Sequence, residues 1–165
     1  MAIKHFTFAL TTEARHQFID ITDTVRSYVA QSDILNGIVT VYSQHTSCCV
    51  LIQEESEDIT YFGVQLLLQD TLNVLQKIIP PVTHERQYLH PGPIHVENAA
   101  KFRGERPGWS LNTDGHIMSS LIGRSEIIPV DNSKLILGTF GRIYFGDLDA
   151  VRARERIVRV QIMGE

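Results

Sequence analysis

Two runs rich in valine and isoleucine, Ile38 to Gln44 and Cys48 to Gln53, are separated by only His45, Thr46 and Ser47. Both are strand-like, and side-chain alternation tells which residues share a face. If the first run holds its register, His45 lies with Val39, Val41 and Ser43 and projects from the end of an apolar face. In the second, Glu54 shares a face with Val50 and Ile52. Polar residues thus emerge at strand ends, where a site can border a core. Cys48 and Cys49 point to opposite faces of their strand and are poorly placed to bridge each other. With no metal-binding cysteine spacing either, they read as packed small hydrophobes in a reducing compartment.

The remaining chain fills in around these runs. His5 to Leu10 alternates, with Phe6, Phe8 and Leu10 on one face and His5 at the surface, and Gln17 to Ile21 is a second strand. Val25, Tyr28 and Val29 recur at helical spacing after a Thr22-Asp23 cap region, and Asn36-Gly37 marks a turn. Ser56 to Ile79 reads as the strongest helix: Glu57 and Asp58 suit its positive end, Ile59, Phe62, Leu66, Val74, Leu75 and Ile78 form the expected buried stripe, and Pro80-Pro81 stop it. Gly63 is a weak point within it. Pro80 to Leu111 has little periodicity and is punctuated by Pro91, Gly92, Pro93, Gly104, Pro107 and Gly108. Such a stretch is either functional or a surface insertion packed by Phe102 and Trp109. Asp114 to Leu121 predicts a short helix with Asp114 as cap, Gly123 as stop and His116 in the first turn, where free N–H groups attract anions. Strands follow at Ser125 to Val130, Leu135 to Thr139, Arg142 to Asp147 and Arg154 to Met163, with a turn at Asp131-Asn132. Strands and helices come in blocks, which predicts a single α+β domain with a largely antiparallel sheet.

A chain of 165 residues, 43% hydrophobic and 21% charged, can bury its own core. No run approaches the roughly 20 apolar residues that span a bilayer, and the first residues lack a signal-peptide layout, so a cytoplasmic location without membrane contact is expected. The net charge of -4 argues against non-specific nucleic-acid binding. The sign is uneven, however: Arg142, Arg152, Arg154, Arg156 and Arg159 crowd the C-terminal end. Arg154 and Arg156 share parity with Val158, Val160 and Ile162, at the edge of the apolar face. Guanidinium groups there can bind phosphate through paired N–H donors; a fraying strand end or ion pairs with Asp147 or Asp149 are the alternatives.

Five of the seven histidines, His45, His84, His90, His95 and His116, fall in the middle of the chain, several beside loop or turn residues. Histidine ligates metals and titrates near neutral pH. His45, His90 and His116, brought together by folding, would suit zinc or another first-row ion at about 2.0–2.1 Å. No local histidine spacing enforces this. Glu54, Glu55, Asp147 and Asp149 could bind magnesium or act as acid and base, or simply be solvated strand ends. Phosphate-binding glycine loops, the nucleophile elbow and His-Glu-x-x-His are all missing.

Gln44-His45-Thr46-Ser47 followed by Glu54 resembles the signature of the YjbQ-like family, also called the secondary thiamine-phosphate synthase family. The likeness continues in order through Tyr88-Leu89-His90, His116-Ile117, Ser120-Leu121-Ile122-Gly123, Ile128-Pro129-Val130, Leu137-Gly138-Thr139, Ile143-Tyr144-Phe145 and the arginine-rich last strand. The resemblance implies an α+β domain over 1–165, a β-sandwich flanked by helices, assembling as a homotrimer. It implies a metal or ligand site at His45, His90 and His116, an acidic position at Glu54 and a basic one at Arg154. It also implies a weak activity that joins hydroxymethylpyrimidine diphosphate to thiazole phosphate and releases pyrophosphate. The chain departs from the family pattern at Glu55, Gly63, Phe140 and Gly141, and a loop insertion at about 91–109 lengthens the link to the later histidine.

The leading expectation is therefore a metal-binding enzyme of small phosphorylated metabolites. His45, Glu54 and His116 act in catalysis, and Thr46, Ser47, Asn112, Arg154 and Arg156 bind the ligand. The divalent ion is more zinc-like than magnesium-like, because its expected ligands are imidazoles. A non-catalytic trimeric metabolite- or metal-binding protein and a metal-dependent hydrolase are the alternatives.

Overall fold

The computed structural model describes residues 1–106 and 108–165; Pro107, read above as punctuation, lies outside them. Among the described residues, eight strands form two antiparallel sheets. The larger contains β1 (Ala2–Thr12), β3 (Gly37–Ser43), β5 (Ser125–Asp131), β6 (Lys134–Leu135) and β8 (Arg154–Gly164), in the order β1-β8-β3-β5-β6. The smaller contains β2 (Gln17–Asp20), β4 (Cys48–Glu54) and β7 (Gly141–Asp147), in the order β2-β7-β4. The valine-rich runs that flank His45 are therefore strands of different sheets, and His45-Thr46-Ser47 is the corner by which the chain passes between them.

Alternation builds the core. Val39 and Val41 from β3, Val158, Val160 and Ile162 from β8, and Ile128 and Val130 from β5 meet Cys48, Val50, Ile143 and Phe145 of the smaller sheet. The opposite face of that sheet carries Cys49, Leu51 and Phe18, which pack with Leu148 against Leu72, Leu75, Met118 and Ile122 of the covering helices. The adjacent cysteines serve two different cores, both as free thiols. Helix α1 (Thr22–Gln31) adds Val25 and Val29 to the first core. The layers are sheet, sheet and helix: the α+β class that the pattern of blocks predicts, in the sandwich that the family resemblance implies.

The long central helix is half as long as expected. Helix α2 runs only Leu66–Ile78. The segment before it turns at Gly63, whose φ of +77° L side chains rarely adopt, and an Ile59–Gln65 bridge closes the turn. Gln65 there accepts bonds from the Ser56 N–H at 2.9 Å and the Tyr144 hydroxyl at 2.9 Å. The expected stripe is also rotated: Ile59, Phe62, Leu66, Val74 and Ile78 are exposed, while Leu68 and Ile79 are buried. Apolar residues on both sides of this helix left its inward face ambiguous.

A second correction concerns the irregular stretch. It holds helix α3 (Pro93–Arg103), with Pro93 in its first turn and Gly104 in the left-handed conformation at its end. The punctuation was that of a helix, but only Ala99 of α3 is buried, so no apolar period announced it. Phe102 is exposed and does not pack the insertion. Helix α4 (Thr113–Ile122) starts earlier than expected. Asn112 flanks it, and Asp114 instead accepts the Val82 N–H at 3.2 Å. Of the predicted strand Leu135 to Thr139 only Leu135 lies in a strand, the two-residue β6 that begins at Lys134. No helix among the described residues is long and apolar enough to cross a membrane.

Phe145→Ala removes a fully buried ring and is expected to cost about 3–5 kcal/mol. Gly63→Ala is expected to cost about 1 kcal/mol from its left-handed backbone alone. Urea unfolding of the two variants measures both.

Candidate functional site

Where the corner, the start of α4 and the start of β8 meet, they enclose a cavity of about 330 Å³. Gln44, His45, Thr46 and Ser47 border it from the corner, Asn112 and His116 from α4, and Asp149, Arg154 and Arg156 from the segment entering β8. His95, Arg103, Glu105 and Trp109 close it from α3 and the loop after it. A larger cavity of about 630 Å³ lies elsewhere, between β2 and the start of α2, and holds none of the expected site residues.

Its floor is a buried ion-pair network. Arg156 donates from Nε to Asp147 Oδ2 at 2.7 Å and from Nη2 to Asp147 Oδ1 at 2.9 Å, with Ser47 Oγ at 3.3 Å from Nη2. The Thr12 hydroxyl donates to Asp147 at 2.6 Å, and the Asp149 N–H does so at 3.1 Å. Burial alone would raise the Asp147 pKa, but the bonds from Arg156 and Thr12 outweigh it and hold the carboxyl below its usual range. Arg154 donates to Asp149 Oδ2 at 2.7 Å, and Asn112 Nδ2 shares that oxygen at 3.0 Å. The ion-pair alternative for the inward-parity arginines is thus what the fold adopts. Arg154 nonetheless keeps a buried Nε–H without a partner among the described residues.

Helix α4 reaches the site by close approach. A Cβ at Gly115 would overlap the Leu148 carbonyl, so the helix lies directly on the chain leading to Asp149. Thr113 donates to the His90 carbonyl at 2.7 Å, fixing the Tyr88-Leu89-His90 segment beside it. The His116 N–H already bonds the Asn112 carbonyl at 3.2 Å, so the free N–H groups belong to the residues just before it.

The histidines divide into two groups. The β3–β8 ladder ends at Ser43–Val158. One residue on, the Ile157 N–H donates to His45 Nε2 at 2.9 Å, so the ring extends the ladder past the strand. His90 lies edge-on to His95 and His116, with ring centroids 4.7 Å and 6.0 Å away. Burial and the Arg156 charge lower the His45 pKa, while burial and its two histidine neighbours lower that of His90. Burial lowers that of His16 as well.

The expected metal set does not fit these positions. His45 Nε2 is committed to a backbone donor, and a neutral ring accepting there carries its proton on Nδ1. Among the described residues no group of three or more histidine, cysteine, aspartate or glutamate side chains is placed to hold a metal ion. Glu54 is not at the cavity either. It ends β4 at the far side from Cys48, roughly 20 Å away at strand spacing, beside Glu55, Glu57 and Phe140. Glu55 there pairs with Arg142 at 2.7 Å. At the cavity Arg103 was not foreseen, and His95 was noted among the histidines without a place in the site, because nothing in their spacing announced a helix.

The family profile described as "UPF0047 protein YjbQ-like" matches residues 6–165. The chain belongs to the YjbQ-like family. A UPF0047 protein of Archaeoglobus fulgidus is 33% identical over 150 residues, covering 91% of this chain and 95% of the relative. The UPF0047 protein YugU of Bacillus subtilis is 27% identical over 155 residues, 93% of this chain and 96% of its own. Among solved structures, a YjbQ/UPF0047 family protein from Clostridium acetobutylicum superposes with a TM-score of 0.72 at 32% identity, covering 96% and 99% of the two chains. A hypothetical protein from Aeropyrum pernix gives 0.73 at 26% identity over 98% and 99%. In this member of the family the Arg156–Asp147 pair forms the floor of the cavity.

Arg156→Ala strands the buried Asp147 charge and is expected to cost about 3–5 kcal/mol in urea unfolding. Acidification gives a second readout. His16, His45 and His90 bind protons less readily folded than unfolded, so the unfolded chain takes up more protons as the pH falls through about 6.5. Their contribution to stability therefore declines from pH 7.5 to pH 5.5, and the melting temperature is expected to fall; a Tm that rises over this range refutes the neutral-histidine assignment.

Proposed function

We propose that this chain binds and transforms a small phosphorylated metabolite in the cavity at the corner. The observation that carries this is the convergence of His45, Thr46, Ser47, Asn112, His116, Arg154 and Arg156, from distant parts of the chain, around one opening. Arg154 lines the cavity with its side chain 22% exposed, and a guanidinium there is a donor suited to a phosphoryl oxygen. In the cavity, Arg154 and Asn112 orient the anion, and His116 is the group free to move a proton. Arg156 holds the floor through Asp147.

The most concrete form of the reaction is the one the family resemblance suggests, joining hydroxymethylpyrimidine diphosphate to thiazole phosphate with release of pyrophosphate. Positioning of two phosphorylated partners is the protein's contribution. Nothing in this reading is routed through a metal, and Glu54 is not part of it. One observation favours a second reading, a binding protein without turnover: among the described residues the carboxylates at the cavity, Asp149 and Glu105, both face guanidinium groups.

A homotrimer remains our proposal for the assembly. The resemblance supports it, and α2 and the turn before it expose the apolar side chains Phe62, Val74 and Ile78 that a partner copy would cover. Buried free Cys48 and Cys49, with the Cys49 thiol pushed up to about 12 by burial, fit a reducing cytoplasm.

Calorimetric titration with inorganic phosphate tests the site. Arg154→Gln is expected to weaken binding roughly tenfold, the loss of one charge-assisted hydrogen bond. An unchanged affinity sinks the assignment. With both phosphorylated substrates supplied, His116→Ala is expected to lower thiamine-phosphate formation; ligand binding with no formation by the wild type supports the binding-protein reading.

A further inference from the structure

We propose that α3 makes this cavity selective for ligands with two anionic groups: Arg154 and His116 receive the first, and His95 and Arg103 the second. This rests on the reading of the cavity as an anion site and names what that site prefers. His95 and Arg103 are separated by about two helical turns and lie on one side of α3. Their ends meet, with Arg103 Nη2 at 3.4 Å from His95 Nε2, and both border the cavity that holds Arg154 and Arg156. Guanidinium has no acceptor, so His95 Nε2 accepts and its proton lies on Nδ1.

Charge balance separates this wall from the floor. Asp147 and Asp149 sit at 2.7 Å from Arg156 and Arg154 and neutralise them closely. On the α3 side a single carboxylate, Glu105, is divided between Arg103 at 3.6 Å and Arg152 at 3.7 Å, and it also accepts from Ser110 at 3.2 Å. The Arg152 guanidinium carbon lies over the Trp109 ring at 3.8 Å from its centroid, and its Nε–H has no partner among the described residues. Among the described residues, arginines 103, 152, 154 and 156 pair with Glu105, Asp147 and Asp149 alone, and the surplus positive charge lies toward α3. An anion with one charged group, held at Arg154, leaves that surplus unmet. A second anionic group on the same ligand neutralises it. His90, edge-on to both His95 and His116, ties the two halves of this arrangement together.

The test is calorimetric titration of the purified chain with inorganic phosphate and with pyrophosphate. His95 and Arg103 are both exposed, so the double variant His95→Ala/Arg103→Ala keeps the fold, checked by its melting temperature. Wild type is expected to bind pyrophosphate roughly tenfold more tightly than phosphate, about one charge-assisted contact. The double variant is expected to lose that preference while binding phosphate as before, and Arg103→Lys, which keeps the charge, to restore part of it. A preference unchanged in the double variant, or no preference in wild type, overturns the role of α3 and leaves the anion site standing. Phosphate affinity insensitive to Arg154→Gln overturns the underlying site instead.

Discussion

The buried pair between Arg156 and Asp147 is the interaction on which the site depends. It joins the first residues of β8 to the last residue of β7, and so ties the two sheets together at the end where the chain turns between them. Desolvating both ions is costly, and the geometry offsets it only because both carboxylate oxygens receive two further donors, the Thr12 hydroxyl and the Asp149 N–H. The pair is better understood as fixing geometry than as adding stability. With Asp147 occupied, Asp149 is presented to Arg154 and Asn112, and the cavity wall follows from that arrangement.

Strand alternation delivers the rest. A strand whose one face is buried has its register set, because a slip of one residue would turn every valine outward. Residues just past the buried segment inherit that direction at no further cost, which is why His45 and Arg156 both arrive at one end of the sandwich. The backbone contributes as well: Leu148 donates to the Ser47 carbonyl at 3.0 Å, so the corner and the β7 end are held by main-chain bonds.

This is also why much of the site was legible in the sequence. The inward parity of Arg154 and Arg156, the position of His45 and the opposed cysteines follow from a period of two, which the fold respects throughout. Helical periods were less informative. Ile59, Phe62 and Leu66 have helical spacing, yet one left-handed glycine at Gly63 diverts the chain before α2, and the residues with the clearest period face outward. Helix α3 failed in the opposite sense, having end signals but no apolar face. The distance between Glu54 and His45 was the least legible fact of all. Both emerge at strand ends, but parity gives the face of a residue and not which end of the sandwich it reaches.

The histidines show how a single hydrogen bond can separate two roles. His45 spends its Nε2 lone pair on Ile157, a backbone donor that the end of β3 leaves without a ladder partner. That bond explains why the residue belongs at the corner without any chemistry being required of it. It also fixes the charge state: a ring that must accept at Nε2 is neutral, in agreement with the effect of burial and of the Arg156 charge. An anion placed beside Arg154 and Arg156 would offset the smaller, coulombic cause of the lowered His45 proton affinity and leave the larger one, burial, in place. An anion held there would thus favour protonation of His45 through the same few charges, against the strand-end bond that needs the Nε2 lone pair.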